Sequence, residues 1–321
     1  MNAETLRVIV AEKTVEAADI CRLELVRAEA GPLPAFTAGA HVELHLPGEL
    51  RRAYSLCNDP AETHRYVLGI LKDPQSRGGS RAVHEQLQVG DELNISLPRN
   101  HFELEPNAES SLLLAGGIGI TPLLAMAEQL ERQRASFELH YTTSTSERMA
   151  FAERLANAPY ARKVHFYLSQ KNPARRLDLD SVLATPVAGR HLYVCGPQRF
   201  IDAVLASARQ QGWAESCLHW EFFGGAPTAG EGDSAFELEI ASSGQVVPVA
   251  PGQTALKALL AAGVDVPMAC DQGVCGTCLT KVLCGEIDHR DLYLMPEEQA
   301  AGDQFLPCCS RAKSPRLVLD L

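Results

Sequence analysis

The chain has 321 residues, 46% of them hydrophobic, with a formal net charge of -11 and a pI near 5.4. That length holds two or three domains of roughly 100–150 residues, each able to bury a core. The acidity excludes a basic face that releases counterions from nucleic-acid phosphates. No stretch is apolar for long enough to span a bilayer, which takes about 20 residues.

The N-terminal "MNAETLRVIVAEKTVEAADI" carries charges throughout and has no apolar h-region. No secretory signal is expected there, so the ten cysteines are expected to be reduced and the protein cytoplasmic. Residues 1–105 read as short strands: "LRVIVAEKTV", "ICRLELVRA", "HVELHLP", "RAYSLC", "RYVLGILKD" and "ELNISLP" alternate or run apolar between Gly, Pro and Asp breaks. The pattern predicts a small antiparallel barrel, with one short helix in "SRAVHEQLQVGDEL". Within it, "RAYSL" sets Arg52, Ala53, Tyr54 and Ser55 on a strand, offering a fixed positive charge, a flat aromatic face and a hydroxyl. "RGGS" adds Gly78, Gly79 and Ser80, whose backbone N–H groups are free of bulky side chains and suit a phosphate.

From 106 to 225 the rhythm changes to strand–helix alternation. "SLLLAGG" precedes "TPLLAMAEQLERQ", "FELHYTT" precedes "AFAERLANA", and "HLYVCGP" precedes "RFIDAVLASARQQG", with the strand "KVHFYLS" between. Such units build a doubly wound parallel sheet with helices on both faces. In "LLLAGGIGITPLL", Gly116, Gly117 and Gly119 are expected to let a pyrophosphate approach the backbone where a helix begins. "YVCGP" ends a later strand at Cys195, Gly196 and Pro197, and two such strand ends can meet at a ligand crevice. Taken singly, each also reads as an ordinary βα turn. Ser144 and Arg148 in "TTSTSERMAF" stand where a ribose 2′-phosphate can be received, with a solvated loop as the competing reading.

"FGGAPTAGEGDSA" reads as a linker, and 226–321 as a compact mixed domain with a helix at "ALKALLAAG". Its loop "CDQGVCGTC" has the spacing Cys270-x4-Cys275-x2-Cys278, and Cys308 and Cys309 follow downstream in "PCCSR". Unequal short spacings plus a distant single ligand match the plant-type [2Fe–2S] pattern better than zinc, which favours two CxxC pairs or mixed Cys/His. Glycine lets a loop turn its N–H groups toward sulfur. In an extended segment, Cys308 and Cys309 would point to opposite faces, so only one is expected to ligate.

Together these motifs resemble the phthalate dioxygenase reductase family of Rieske oxygenase systems. The similarity runs the whole chain and is close in wording to vanillate O-demethylase and carnitine monooxygenase reductases at "CDQGVCGTC", "DHRD" and "PCCSRAKSPRLVLDL". It implies an FMN-binding β-barrel (1–105), an NAD-binding α/β domain (106–225) and a C-terminal β-grasp plant-type ferredoxin domain (226–321). It implies that Arg52, Ala53, Tyr54 and Ser55 contact the flavin, that Gly69, Ile70 and Leu71 border its ring system, and that Gly78, Gly79 and Ser80 hold its phosphate. Gly117, Thr121, Cys195, Gly196 and Pro197 would line the nicotinamide end, with Phe223 flanking both rings. Cys308 joins Cys270, Cys275 and Cys278 as the fourth iron ligand by the same resemblance.

The implied activity is electron transfer from NADH through FMN and the [2Fe–2S] cluster to a separate Rieske-type oxygenase. A flavin is suited to the middle of that path because NADH gives a hydride and the cluster takes single electrons. Competing readings are an electron carrier whose first two domains are scaffold, and a stand-alone flavin-dependent oxidoreductase with another acceptor.

Overall fold

The computed structural model describes residues 5–48, 50–74, 78–170, 176–184, 186–223, 233–268, 273, 276–291 and 293–321. The chain divides into two compact units, Met1–Phe223 and Gly224–Leu321. In the first, strands β1 (Thr5–Ala17), β2 (Ile20–Arg27), β3 (His41–Leu46), β4 (Leu50–Ser55) and β5 (Tyr66–Leu71) precede helix α1 (Gly79–Glu85) and strand β6 (Glu92–Ser96). They form a six-stranded sheet in the order β4-β3-β6-β1-β2-β5, antiparallel at every pairing. An antiparallel bridge between Leu56 and Leu68 joins the two edges and closes the barrel. β1 shows why the residues choose this form: Leu6, Val8 and Val10 are buried and their neighbours face out, the period of two. Lys13 of β1 fastens α1 by donating from Nζ to the carbonyls of Val83 (2.8 Å), His84 (2.8 Å) and Leu87 (2.7 Å). Carbonyls left over at a helix C-terminus are thereby satisfied.

The same unit continues through β7 (Ser110–Gly116), α2 (Ile120–Arg132), β8 (Ser136–Thr143), α3 (Ala152–Ala156), β9 (Val164–Leu168), α4 (Leu179–Leu183), β10 (Arg190–Gly196), α5 (Gln198–Gln210) and β11 (Leu218–Phe222). All pairings are parallel, in the order β11-β10-β7-β8-β9. β7 is a near-continuous apolar run because both its faces are covered. On one face Leu113, Ala115, Leu139, Tyr141, Tyr193 and Cys195 share a single core with α2 and the barrel. On the other, Leu112, Leu114, Leu192 and Val194 pack beneath α5 with Ile201, Val204 and Leu205.

The second unit comprises β12 (Phe236–Ile240), β13 (Val246–Val249), α6 (Ala255–Ala261), β14 (Thr280–Cys284), β15 (Ile287–Asp288), α7 (Pro296–Ala301), β16 (Gln304–Phe305), β17 (Arg311–Ala312) and β18 (Arg316–Leu319). Its mixed sheet runs β13-β12-β18-β14-β16, with β12 and β18 parallel at the centre and α6 packed on the sheet's core, a β-grasp arrangement. Thr254 caps α6 by accepting from the Lys257 N–H. The nearly buried Arg311 ties the domain's start to its end. It donates to the carbonyls of Gln253 and Ser234 (3.0 Å to the latter), lies 3.6 Å from Asp233 and sits over the Phe236 ring. Among the described residues no helix is long and apolar enough to cross a membrane.

Candidate functional site

In the first unit the barrel and the parallel sheet meet at the C-terminal ends of β7 and β10. Parallel pairing sets Cys195 of β10 beside Glu221 of β11. From the barrel side, Ser55 ends β4 and donates from Oγ to Glu221 Oε2 at 3.4 Å. Burial pushes the Glu221 carboxyl up to about 8, opposed only by the Ser55 hydrogen bond. Burial also holds the Cys195 thiol well above its ordinary value, and the neighbouring Glu221 adds to that. Both shifts favour the protonated, neutral forms of these groups. The cluster offers neutral hydrogen-bonding groups to a ring, rather than an ionised base or nucleophile.

The glycines divide by role in a way the motif alone does not show. A Cβ on Gly119 would stand 2.3 Å from the Cys195 carbonyl carbon and oxygen, and one on Gly196 would stand 2.9 Å from the Gly116 Cα. These glycines let the turn before α2 and the ends of β7 and β10 touch backbone to backbone, a packing role that the motif alone does not show. Gly117 differs: its φ is 56° and nothing lies within 4 Å of its missing Cβ. Just beyond, Thr121 is buried and donates from Oγ1 to the Ile118 carbonyl at 3.0 Å. A Cβ on Gly69 of β5 would lie 2.9 Å from both Thr121 Cγ2 and Phe151 Cε2, so this glycine lets the barrel close against the start of α2. Pro197 caps α5 and Phe223 packs, half-buried, against the shared core.

Arg52 and the glycines at the start of α1 come together: a Cβ on Gly79 would meet Arg52 Cγ at 2.4 Å. A guanidinium and the turn at Gly78, where φ is 104°, thus share one spot, the chemistry a phosphate monoester needs. The Ser80 hydroxyl there accepts from the Asp73 N–H at 3.2 Å. Tyr54 is half-buried on β4, and Ala53 pairs with Glu43 across the strand. Ile70 turns its side chain into the core, and its carbonyl meets His84 Nε2 at 2.9 Å. Only backbone at Ile70 remains to border a ligand, and Leu71 lies at the strand's end, half-buried. A flat ring on β4 and β5 with its phosphate at Arg52 and Gly79 is compatible with every one of these placements. A separate cavity of about 620 Å³ contains none of the expected residues, and its charges pair internally, as in Arg154 with Glu128 at 2.9 Å.

In the second unit Cys270 and Cys275 lie outside the described residues. Cys278, Cys308 and Cys309 are all buried. Residues 307–309 form a turn, with the N–H groups of Cys309 and Ser310 both donating to the Leu306 carbonyl (3.1 and 2.9 Å). The segment is not extended, so strand alternation does not separate the two cysteines as expected. Hydrogen bonds from Cys278 and Cys309 instead hold the Cys308 thiol far below its usual value, while Cys309 is raised. A thiolate is the form that ligates iron, and Cys308 beside Cys278 fits that need. Gly273 and Gly276, at φ 71° and 70°, carry the loop against Cys309 Sγ and the Tyr293 ring, where a Cβ would come within 2.5 and 2.3 Å.

Sequence reasoning missed Glu221, Phe151 and Tyr293. Glu221 stands two residues before the singled-out Phe223 in "EFF", and its position opposite Cys195 was the available signal.

Comparison with known proteins bears on the fold and the family. The family model for a 2Fe-2S iron–sulfur cluster binding domain matches residues 238–313, and that for the dimethylamine monooxygenase subunit DmmA-like N-terminal domain matches 94–218. A vanillate O-demethylase oxidoreductase from Pseudomonas sp. (strain HR199) is 51% identical over 98% of this chain and 100% of its own length. The beta subunit of a haem-dependent oxidative N-demethylase from Ectopseudomonas mendocina is 43% identical over 91% of this chain and 91% of its own length. The solved structure of phthalate dioxygenase reductase, described as modular for electron transfer from pyridine nucleotides to [2Fe–2S], is 39% identical with a TM-score of 0.77, covering 99% of this chain and 98% of that one. The chain therefore belongs to the phthalate dioxygenase reductase family, oxidoreductases that move electrons from NADH through FMN and a [2Fe–2S] centre to an oxygenase component.

Proposed function

We propose that this chain serves a Rieske-type oxygenase of the aromatic O-demethylase or N-demethylase kind, with residues 1–105 holding FMN, 106–225 holding NADH and 226–321 holding the cluster. The observation that carries the reading is the junction of Ser55, Cys195 and Glu221, neutral groups gathered where barrel and nucleotide sheet meet. The relatives' names favour demethylase partners, and the haem-dependent relative makes a haem-containing acceptor the second reading.

FMN, when bound there, would supply the conversion of a hydride's two electrons into the single electrons that a [2Fe–2S] cluster takes. The chain's residues do the placing. Arg52, Gly78, Gly79 and Ser80 anchor the phosphate, while Ala53, Tyr54, Ser55 and the backbone of Gly69, Ile70 and Leu71 border the ring. Gly117 leaves its backbone open for dinucleotide. Thr121, Cys195, Gly196 and Pro197 shape the nicotinamide end, with Phe223 beside it. The close backbone contacts of Gly119 with Cys195 and of Gly196 with Gly116 hold the turn before α2 against the end of β10. Arg148 donates to Asp19 at 2.9 Å, so its charge is already engaged, which supports NADH over a 2′-phosphorylated cofactor. Cys270, Cys275, Cys278 and Cys308 hold the cluster.

The test is anaerobic reduction by NADH, followed by addition of a purified Rieske O-demethylase oxygenase. Wild type and Cys309→Ser should reduce flavin, cluster and then oxygenase. Cys308→Ser should reduce flavin and stop, with iron and sulfide lost. Full cluster content in Cys308→Ser would refute the ligand assignment, and an oxygenase left oxidised by wild type would refute the partner class.

A further inference from the structure

The face of the parallel sheet beneath α5 carries a group of side chains that the electron path does not use. Glu138 and His140 lie two residues apart on β8, so both project from the same face. His165 of β9 is paired directly with His140. One nitrogen from each imidazole and one carboxylate oxygen all lie within 4.8 Å of one another. The rings of His140 and His165 stack with centroids 4.7 Å apart. His140 is buried, while Glu138 and His165 open to solvent.

From this geometry we infer a binding site for a borderline-soft divalent metal ion, zinc or a neighbouring first-row ion, formed by Glu138, His140 and His165. Two distances carry the argument. His140 Nε2 stands 3.4 Å from Glu138 Oε2, a poor hydrogen-bond length. It is, however, close to the separation of about 3.3 Å between two ligands of a tetrahedral zinc ion, each about 2.0–2.1 Å from the metal. Second, His140 Nδ1 lies 2.9 Å from the Tyr167 hydroxyl. When Nδ1–H donates to that oxygen, the Nε2 lone pair points toward Glu138 and the tautomer suited to a ligand is fixed, as outer partners do in metal sites. Closing the set requires the exposed His165 to turn from its stack on His140 toward Glu138.

The charge balance selects the class of ion. Arg190 Nη2 holds the other oxygen of Glu138 at 3.3 Å, which orients the carboxylate and cancels much of its charge. Hard cations such as magnesium and calcium take oxygen ligands and depend on that charge. Two imidazoles with one carboxylate instead match the His2Glu donor set of zinc, with solvent free to supply a fourth ligand on the open side. The site is distinct from the cofactor junction. His140 lies about 10 Å back from the C-terminal end of β8, at a strand rise of about 3.3 Å per residue. It also projects from the face opposite Tyr141, which belongs to the barrel-side core.

Zinc should therefore bind the flavin- and cluster-loaded full-length protein and brace the β8–β9 edge of the sheet, without entering the redox path. The experiment is calorimetric titration of ZnCl2 into wild type, His165→Asn and Glu138→Gln, with thermal melts of each with and without zinc. NADH-dependent dye reduction at the wild-type rate in both variants establishes that they are folded. Wild type should take up one more zinc than His165→Asn, or bind it at least about tenfold more tightly. Its melting temperature should rise with zinc, with Glu138→Gln responding less. The variants retain every thiol, so zinc held by cysteine appears equally in all three proteins. Equal stoichiometry and affinity across the three, or no zinc uptake by wild type, would overturn the assignment. Displacement of zinc by an equal concentration of magnesium would overturn the donor-class argument.

Discussion

Glu221 shows how much one side chain can report about the junction. Its carboxyl is moved from 4.5 to about 8 because burial disfavours the charged form. The folded chain therefore keeps a proton that the unfolded chain has released, and stability falls as pH rises between those two values. The contribution is complete below the unfolded pKa and is lost as pH rises through the folded one. Glu221→Gln has the same shape and no charge to bury, so the fall that this carboxyl contributes over that range should be missing from its profile. It should gain on wild type by about 1–2 kcal/mol near pH 8, after discounting the shift for partial exposure. Urea midpoints measured from about pH 5 to pH 8 on both proteins provide the check. Parallel profiles would show that the carboxyl is not desolvated.

At the scale of elements, the crest where β7 and β10 end depends on missing side chains. Gly119→Ala drives a methyl into the Cys195 carbonyl, and backbone cannot swing aside as a long side chain can. The cost should be about 3 kcal/mol or more. Gly117→Ala meets no atom and bears only the strain of a left-handed φ, roughly 1–2 kcal/mol. The first should lower the denaturation midpoint sharply; the second should lower it less and raise the KM for NADH more. The reverse order would contradict the division of roles. These elements themselves were legible because period-two burial in β1 and the apolar run of β7 are local patterns. The division among the glycines was not legible, since it depends on Cys195, far along the chain from Gly119. The same holds for Glu221 beside Cys195 and for His165 beside His140, which only strand pairing brings together. The turn at 307–309 escaped for another reason: "PCCSR" looks as extended as any strand until its N–H groups find the Leu306 carbonyl.

For the whole molecule, the division into Met1–Phe223 and Gly224–Leu321 makes a claim about the electron path. Each unit has its own buried core, so each should fold when the other is removed. The residues assigned to flavin and NADH fall entirely in the first unit, and the cysteines assigned to the cluster fall in the second. A chain ending at residue 228 retains Phe223 and all of the barrel and parallel sheet. It should bind FMN and oxidise NADH with a two-electron dye as fast as the full chain, because the residues proposed for hydride transfer, Ser55, Thr121 and Cys195 among them, all lie within it. It should fail to reduce an oxygenase or a haem protein at a useful rate, because the one-electron exit has been cut away. Steady-state rates with dye and with cytochrome c, measured at matched flavin content, separate the two steps. A folded, flavin-loaded fragment that cannot oxidise NADH would mean that the second unit takes part in hydride transfer. A fragment that still reduces the oxygenase would mean that the cluster is not the exit.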